Sequence, residues 1–118
     1  MDAQATYTDL VDRGEQLIGR YYEVARDLAR ASAEYRRLLG ARRDRLRTAY
    51  PKEPMAVIDA KADRNEQVNQ ALSVKLELEN EWQVLREELG FVRQQIDNTR
   101  TRAVTERTAD QLEAQWGP

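Results

Sequence analysis

The chain has 118 residues, 41% of them hydrophobic and 34% charged, with 19 basic and 21 acidic side chains for a net charge of −2, and it contains neither cysteine nor histidine. That is enough chain for one domain, and the missing residue types exclude disulfides, thiolate nucleophiles, zinc–thiolate sites and the commonest general base and neutral metal ligand. No run of about 18 apolar residues is present and Met1-Asp2-Ala3-Gln4 lacks the basic-then-apolar layout of a signal peptide, so the expectation is a cytoplasmic protein without a membrane partner.

From Leu10 the apolar positions alternate in steps of four and three: Leu10, Gly14, Leu17, Tyr21, Val24, Leu28, Ala31, Tyr35, Leu38. This is a coiled-coil seam, weakened only at Gly14. Beyond Leu38 the seam meets Arg42 and Arg45, and the apolar stripe drifts to Leu39, Leu46 and Ala49. Thr6 followed by Asp9 reads as a capped start, and Pro51 stops the helix because it restricts Tyr50 and has no amide proton. Helix one is therefore expected over about residues 8–49, followed by a turn at 50–54.

A second seam runs Leu78, Trp82, Leu85, Leu89, Val92, Ile96, Thr99, Ala103. Upstream it continues through Val68, Ala71, Leu72 and Leu76, with Lys75 on the strict seam position and its ammonium expected in water. Helix two is expected over about 55–107. Asp63 to Glu66 has capping-box spacing and offers a fresh start near residue 63. Gly90 costs about 1 kcal/mol in a helix interior without breaking it. Thr108 to Gln111 has the same capping spacing ahead of Leu112 and Trp116, which suggests a short third helix over about 109–116.

Tyr50-Pro51-Lys52-Glu53-Pro54 is too short to let two helices run parallel, so the fold class is all-α, a single-domain antiparallel helical hairpin with coiled-coil character. A bend centred near residue 52 places Leu28 near Leu76, Tyr21 or Tyr22 near Trp82, and Leu10 near residue 94. Helix two outruns helix one, leaving Ile96 and Ala103 without partners in a bare hairpin. Either the short third helix folds back over them or a second copy completes a four-helix bundle, and the homodimer is the favoured expectation, with Ile96, Ala103 and Trp116 as its contacts. Trp116-Gly117-Pro118 reads as a cover for that overhang, or as a docking side chain.

No glycine-rich phosphate loop, calcium loop or metal-ligand pair is present, so no enzymatic activity, cofactor or small-molecule substrate is expected. Glu77, Glu79, Glu81, Glu87 and Glu88 read as a solvated acidic face. The charge feature with functional weight is Arg36, Arg37, Arg42, Arg43, Arg45, Arg47 and Lys52, opposed in that stretch only by Asp44. Across the turn, Asp59, Asp63 and Glu66 are partly balanced by Lys61 and Arg64, so a basic end should remain. Arginine forks suit phosphate or carboxylate, and nucleic acid or an acidic protein is the partner this end would take.

Three segments carry a resemblance. Tyr35-Arg36-Arg37-Leu38-Leu39 leads into Leu46-Arg47; the proline turn opens Pro54-Met55-Ala56-Val57-Ile58-Asp59; and Leu89-Gly90-Phe91-Val92-Arg93-Gln94-Gln95-Ile96 follows later. In this order they resemble small helical-hairpin accessory proteins encoded in the early, recombination-associated gene region of tailed bacteriophages and prophages. In that group a Trp follows soon after the isoleucine, whereas here Asn98-Thr99-Arg100 follows and Trp116 comes much later. The group has no established active site. The resemblance implies a binding protein beside DNA replication or recombination in the bacterial cytoplasm. Two other functions stay open: inhibition of a host nuclease or defence complex, with Glu77 to Glu88 imitating phosphates, and a purely structural coiled-coil adaptor.

Overall fold

The computed structural model of the chain describes residues 3–116, with side chains from residue 6 onward. Met1, Asp2, Gly117 and Pro118, which entered the N-terminal and Trp116-Gly117-Pro118 readings, lie outside the described residues. Three helices follow in order, α1 (Ala3–Ala49), α2 (Met55–Asp63) and α3 (Glu66–Trp116), and there is no strand among the described residues. The fold is an all-α antiparallel hairpin. Its contacts gather into two compact units, one joining the residues up to Tyr21 with those from Val84 onward, the other spanning Tyr22–Gln83.

In the unit spanning Tyr22–Gln83, Val24 is fully buried, and the stripe drifts along α1 as its spacing requires, through half-buried Leu28, Ala31, Tyr35 and Leu38 to buried Leu39 and Leu46. Pro51 ends α1 from beyond its last turn. The Tyr50 amide still reaches the Leu46 carbonyl at 2.8 Å, and the Glu53 amide closes the turn on Tyr50 at 3.2 Å. Pro54, extended at φ −62° and ψ 152°, opens α2 by accepting the Val57 and Ile58 amides at 3.0 and 3.2 Å. Four residues apart on α2, Ile58 and Ala62 point the same way. They are sealed at 1% and 0% exposure in one cluster with Leu39, Leu46 and Val68, against which Tyr35 and Leu38 pack. Ala62 has no bulk beyond its methyl group, which is what lets α2 lie close to α1 there.

The break between α2 and α3 differs from the expected Asp63–Glu66 box. Asp63 is the last residue of α2, whose end tightens as the Arg64 and Asn65 amides bond to Lys61 and Ala62 at 3.3 and 3.1 Å. The cap of α3 is Asn65, whose Oδ1 accepts the Val68 amide at 3.1 Å while its carbonyl accepts Asn69 at 2.9 Å. Asn is among the strongest N-caps, and Glu66 follows with its charge at the positive end of the helix dipole. The residues used by α2 and this break move the α1–α3 register. The buried stripe of α3 passes through Val68, Ala71, Leu72, Lys75, Leu78 and Trp82, whereas Leu76, expected on the seam, is 52% exposed. Lys75 keeps its seam position, and its ammonium lies 5.4 Å from the Tyr35 ring centroid and 3.7 Å from Glu79, a cation–π contact backed by an ion pair.

In the other unit, Gly14 and Leu17 of α1 are buried, as are Leu85, Leu89 and Val92 of α3, with Ile96, Thr99 and Ala103 half-buried beyond them. A Cβ on Gly14 would stand 3.7 Å from Val92 and 3.9 Å from Ile96, so Ile96 has a partner inside the chain. Helix α1 already runs at Ala3, which places Thr6 and Asp9 inside it rather than at its start. Its early turns reach far along α3: Arg13 pairs with Glu88 at 3.2 Å, and Arg100 donates to the Tyr7 hydroxyl at 3.3 and 3.2 Å. No separate helix forms over 109–116. Thr108, expected as a cap, bonds its hydroxyl back to the Val104 carbonyl at 3.0 Å, as Thr99, Thr101 and Thr105 do four residues upstream of themselves, and α3 continues to Trp116. Trp116 is 82% exposed and covers nothing.

Two outcomes follow from this packing. Gly14→Ala places a methyl group at ordinary contact distance and removes a glycine from a helix interior, so it should stabilise the chain by up to about 1 kcal/mol in thermal melting. A loss of stability would mean that the helices lie closer than the structure has them. Ile58→Ala should cost about 2–5 kcal/mol in denaturant unfolding, whereas Leu76→Ala should stay within about 0.5 kcal/mol. Equal losses would contradict the placement of the seam.

Candidate nucleic-acid interface at the hairpin turn

The helical repeat separates the cations that are consecutive in sequence. On a 3.6-residue period, Arg36, Arg43 and Arg47 share one side of α1, while Arg37, Arg42 and Arg45 share the side toward the start of α3. Arg42 and Arg43 flank the buried pair Leu39 and Leu46, which is why both are half-buried while the other five basic residues of the stretch are exposed.

On the first side, the Arg43 Nε lies 2.9 Å from Asp59 Oδ1 of α2, an ion pair off the alignment of a hydrogen bond. Arg47 approaches Asp44 at 3.9 Å, and Arg36 has no partner among the described residues. Lys52 is exposed in the turn, also without one. Exposed pairs of this kind contribute little each.

On the second side, Arg37 grips Glu34 through two hydrogen bonds, at 3.0 and 2.6 Å. Arg42 and Arg45 then stand between two open grooves. A groove of about 580 Å³ runs between α1 and the first turns of α3, with Arg37, Arg42, Arg45, Val68 and Ala71 among its walls. Its neighbour, about 660 Å³, is walled by Arg42, Arg45, Tyr50, Lys61, Arg64 and Glu66 among others. Four cations face that second groove against one carboxylate. The Arg42 Nε is buried there without a hydrogen-bond partner, and Arg45 and Arg64 have no ion pair among the described residues. Lys61 places its ammonium 4.0 Å from the Tyr50 ring centroid.

Of the seven expected cations, the structure therefore brings Arg37, Arg42 and Arg45 together, holds Arg43 on Asp59, and leaves Arg36, Arg47 and Lys52 outside the grooves. Lys61 and Arg64 join the site, although in sequence they read as counter-charges to Asp59, Asp63 and Glu66. Their spacing of three on and just past α2 is the signal that puts them on one side. The acidic stretch is partly engaged, with Glu88 on Arg13 and Glu79 on Lys75. Among the described residues, no group of three or more acidic side chains is placed to hold a metal ion, and no helix is long and apolar enough to cross a membrane.

Comparison with protein-family models, with curated proteins and with solved structures finds no match for this chain.

The Arg37 hydrogen bonds hold the Glu34 carboxyl below its ordinary pKa against a smaller opposing effect of desolvation, with the Arg37 charge adding least. A carboxyl depressed in the folded state contributes its interaction above the ordinary carboxylate pKa and loses it as pH falls through the folded value. NMR titration of the Glu34 side chain should show a midpoint below the ordinary carboxylate value, and Arg37→Ala should return it to the ordinary range. A midpoint indifferent to Arg37 would contradict the pair.

Proposed function

We propose that this chain is a non-enzymatic binding protein that acts through its helical surfaces and its basic hairpin end, with nucleic acid as the ligand. The observation that carries this reading is the convergence of Arg42, Arg45, Lys61 and Arg64 on one groove where, among the described residues, Glu66 is the only carboxylate wall. The chain as a whole is acidic, at −2, so concentrated positive charge at one end makes binding local rather than diffuse. Guanidinium forks suit phosphate oxygens. The resemblance to phage and prophage accessory proteins supports a role for such binding beside DNA replication or recombination in a bacterial cytoplasm, and a homodimer would present two basic ends. Phosphate imitation by the acidic stretch has less support, because Glu79 and Glu88 already hold cations of the same chain.

The test is binding of labelled DNA, single- and double-stranded, across salt concentrations. Affinity should fall steeply between about 50 and 200 mM salt, through release of counterions. Replacing the four exposed arginines Arg36, Arg45, Arg47 and Arg64 together by Ala should remove nearly all of it while the helical circular-dichroism signal persists. Undiminished binding by that variant would refute the reading.

A further inference from the structure

We infer that the paired grooves at Arg42 and Arg45 are a seat for the backbone of a single nucleic-acid strand, with phosphates held at Arg45 and Arg64 and a base resting on Tyr50. This rests on the proposed function and names the ligand form and the face of the hairpin that takes it. Four observations bear on it.

The two grooves adjoin, with Arg42, Arg45 and Asn65 as shared walls between them, so a strand running past the turn meets both. They are open grooves of about 580 and 660 Å³. A strand can lay its backbone into such a path. A duplex presents its phosphates on a convex surface, which does not enter a groove of this kind.

Positive charge is pre-placed along the path. Arg45 and Arg64 line it and have no ion pair among the described residues. Among the described residues, Glu34 is held by Arg37, which leaves Glu66 as the one carboxylate on the path without an ion pair. An exposed guanidinium without an ion pair is open to a phosphate oxygen.

The path also passes the first turn of α3, where Asn65 takes the Val68 amide. The positive end of a 51-residue helix adds to the same potential.

Tyr50 supplies the aromatic element that binding of single strands uses. It walls the second groove, is 47% exposed, and is braced by the Lys61 ammonium over its ring. Stacking on such a ring requires an unpaired base.

The experiment measures fluorescence anisotropy of a labelled oligothymidylate of about 16 nucleotides, the upper end of single-domain site sizes, with the full chain and three variants. Arg45→Ala/Arg64→Ala should weaken binding at least tenfold and make the logarithmic salt slope shallower by about 1.4, the value for two phosphates of a single strand. Arg36→Ala/Arg47→Ala should stay within threefold of the parent. Tyr50→Leu should weaken the oligothymidylate about fivefold or more, with little change for a duplex of equal length. If the outer pair matters as much as the inner pair, or more, the groove is not the seat although the chain binds nucleic acid. Tighter binding of the duplex, or displacement of the strand by polyglutamate at equal charge, also overturns the inference. No binding by the parent chain at low salt sinks the proposed function itself.

Discussion

The sealed contact of Ile58 and Ala62 with Leu39, Leu46 and Val68 determines where every charge at the hairpin turn goes. Helix α2 has only nine residues and would not persist alone in water. It holds its place because two side chains one turn apart are removed from solvent against α1, and Val68 ties the start of α3 into the same cluster. Once that face of α2 is committed to the core, Lys61 and Arg64 have only the remaining circumference, and this carries them to the side of α1 where Arg42 and Arg45 stand. Asp59 falls on the opposite flank and meets Arg43. The apolar contact thus sorts the charges without touching them.

The unit formed by the two chain ends uses different means. Gly14 opens room opposite Val92 and Ile96, and long polar side chains, Arg13 to Glu88 and Arg100 to Tyr7, bridge at the margins. Val104, Leu112 and Trp116 on the last turns of α3 remain more than half exposed. The threonines there bond back to their own helix, so the backbone regularity of this stretch does not depend on burial.

Much of the fold was legible in the amino-acid order because heptad spacing and prolines are local signals. Both seams, the drift from Leu38 to Leu39 and Leu46, the tolerance of Gly90 and the turn at Tyr50–Pro54 all come from residues within a few positions of one another. The errors have a common cause, competition between polar side chains for the same amides. Asp63, Asn65, Thr6 and Thr108 all have capping chemistry, and only the bonds actually formed show that Asn65 caps while Thr108 serves its own helix. Placing the break at Asn65 shifts the register, which exposes Leu76 and gives Ile96 a partner. The site was half legible. A run of arginines is visible in one dimension, but its division into two sides requires the helical repeat, and the recruitment of Lys61 and Arg64 requires knowing which face α2 buries.

The most direct test of the central claim, that burial of one face of α2 creates a single anion-binding path, is an NMR titration of the full chain with a short oligothymidylate. The account predicts that the Nε–H signals of Arg42, Arg45 and Arg64 and the backbone amides at the start of α3 move together along one saturable curve, with Arg36, Arg47 and Trp116 left in place. Movement led by Arg36 and Arg47, or spread evenly over the arginines of both units, would contradict it.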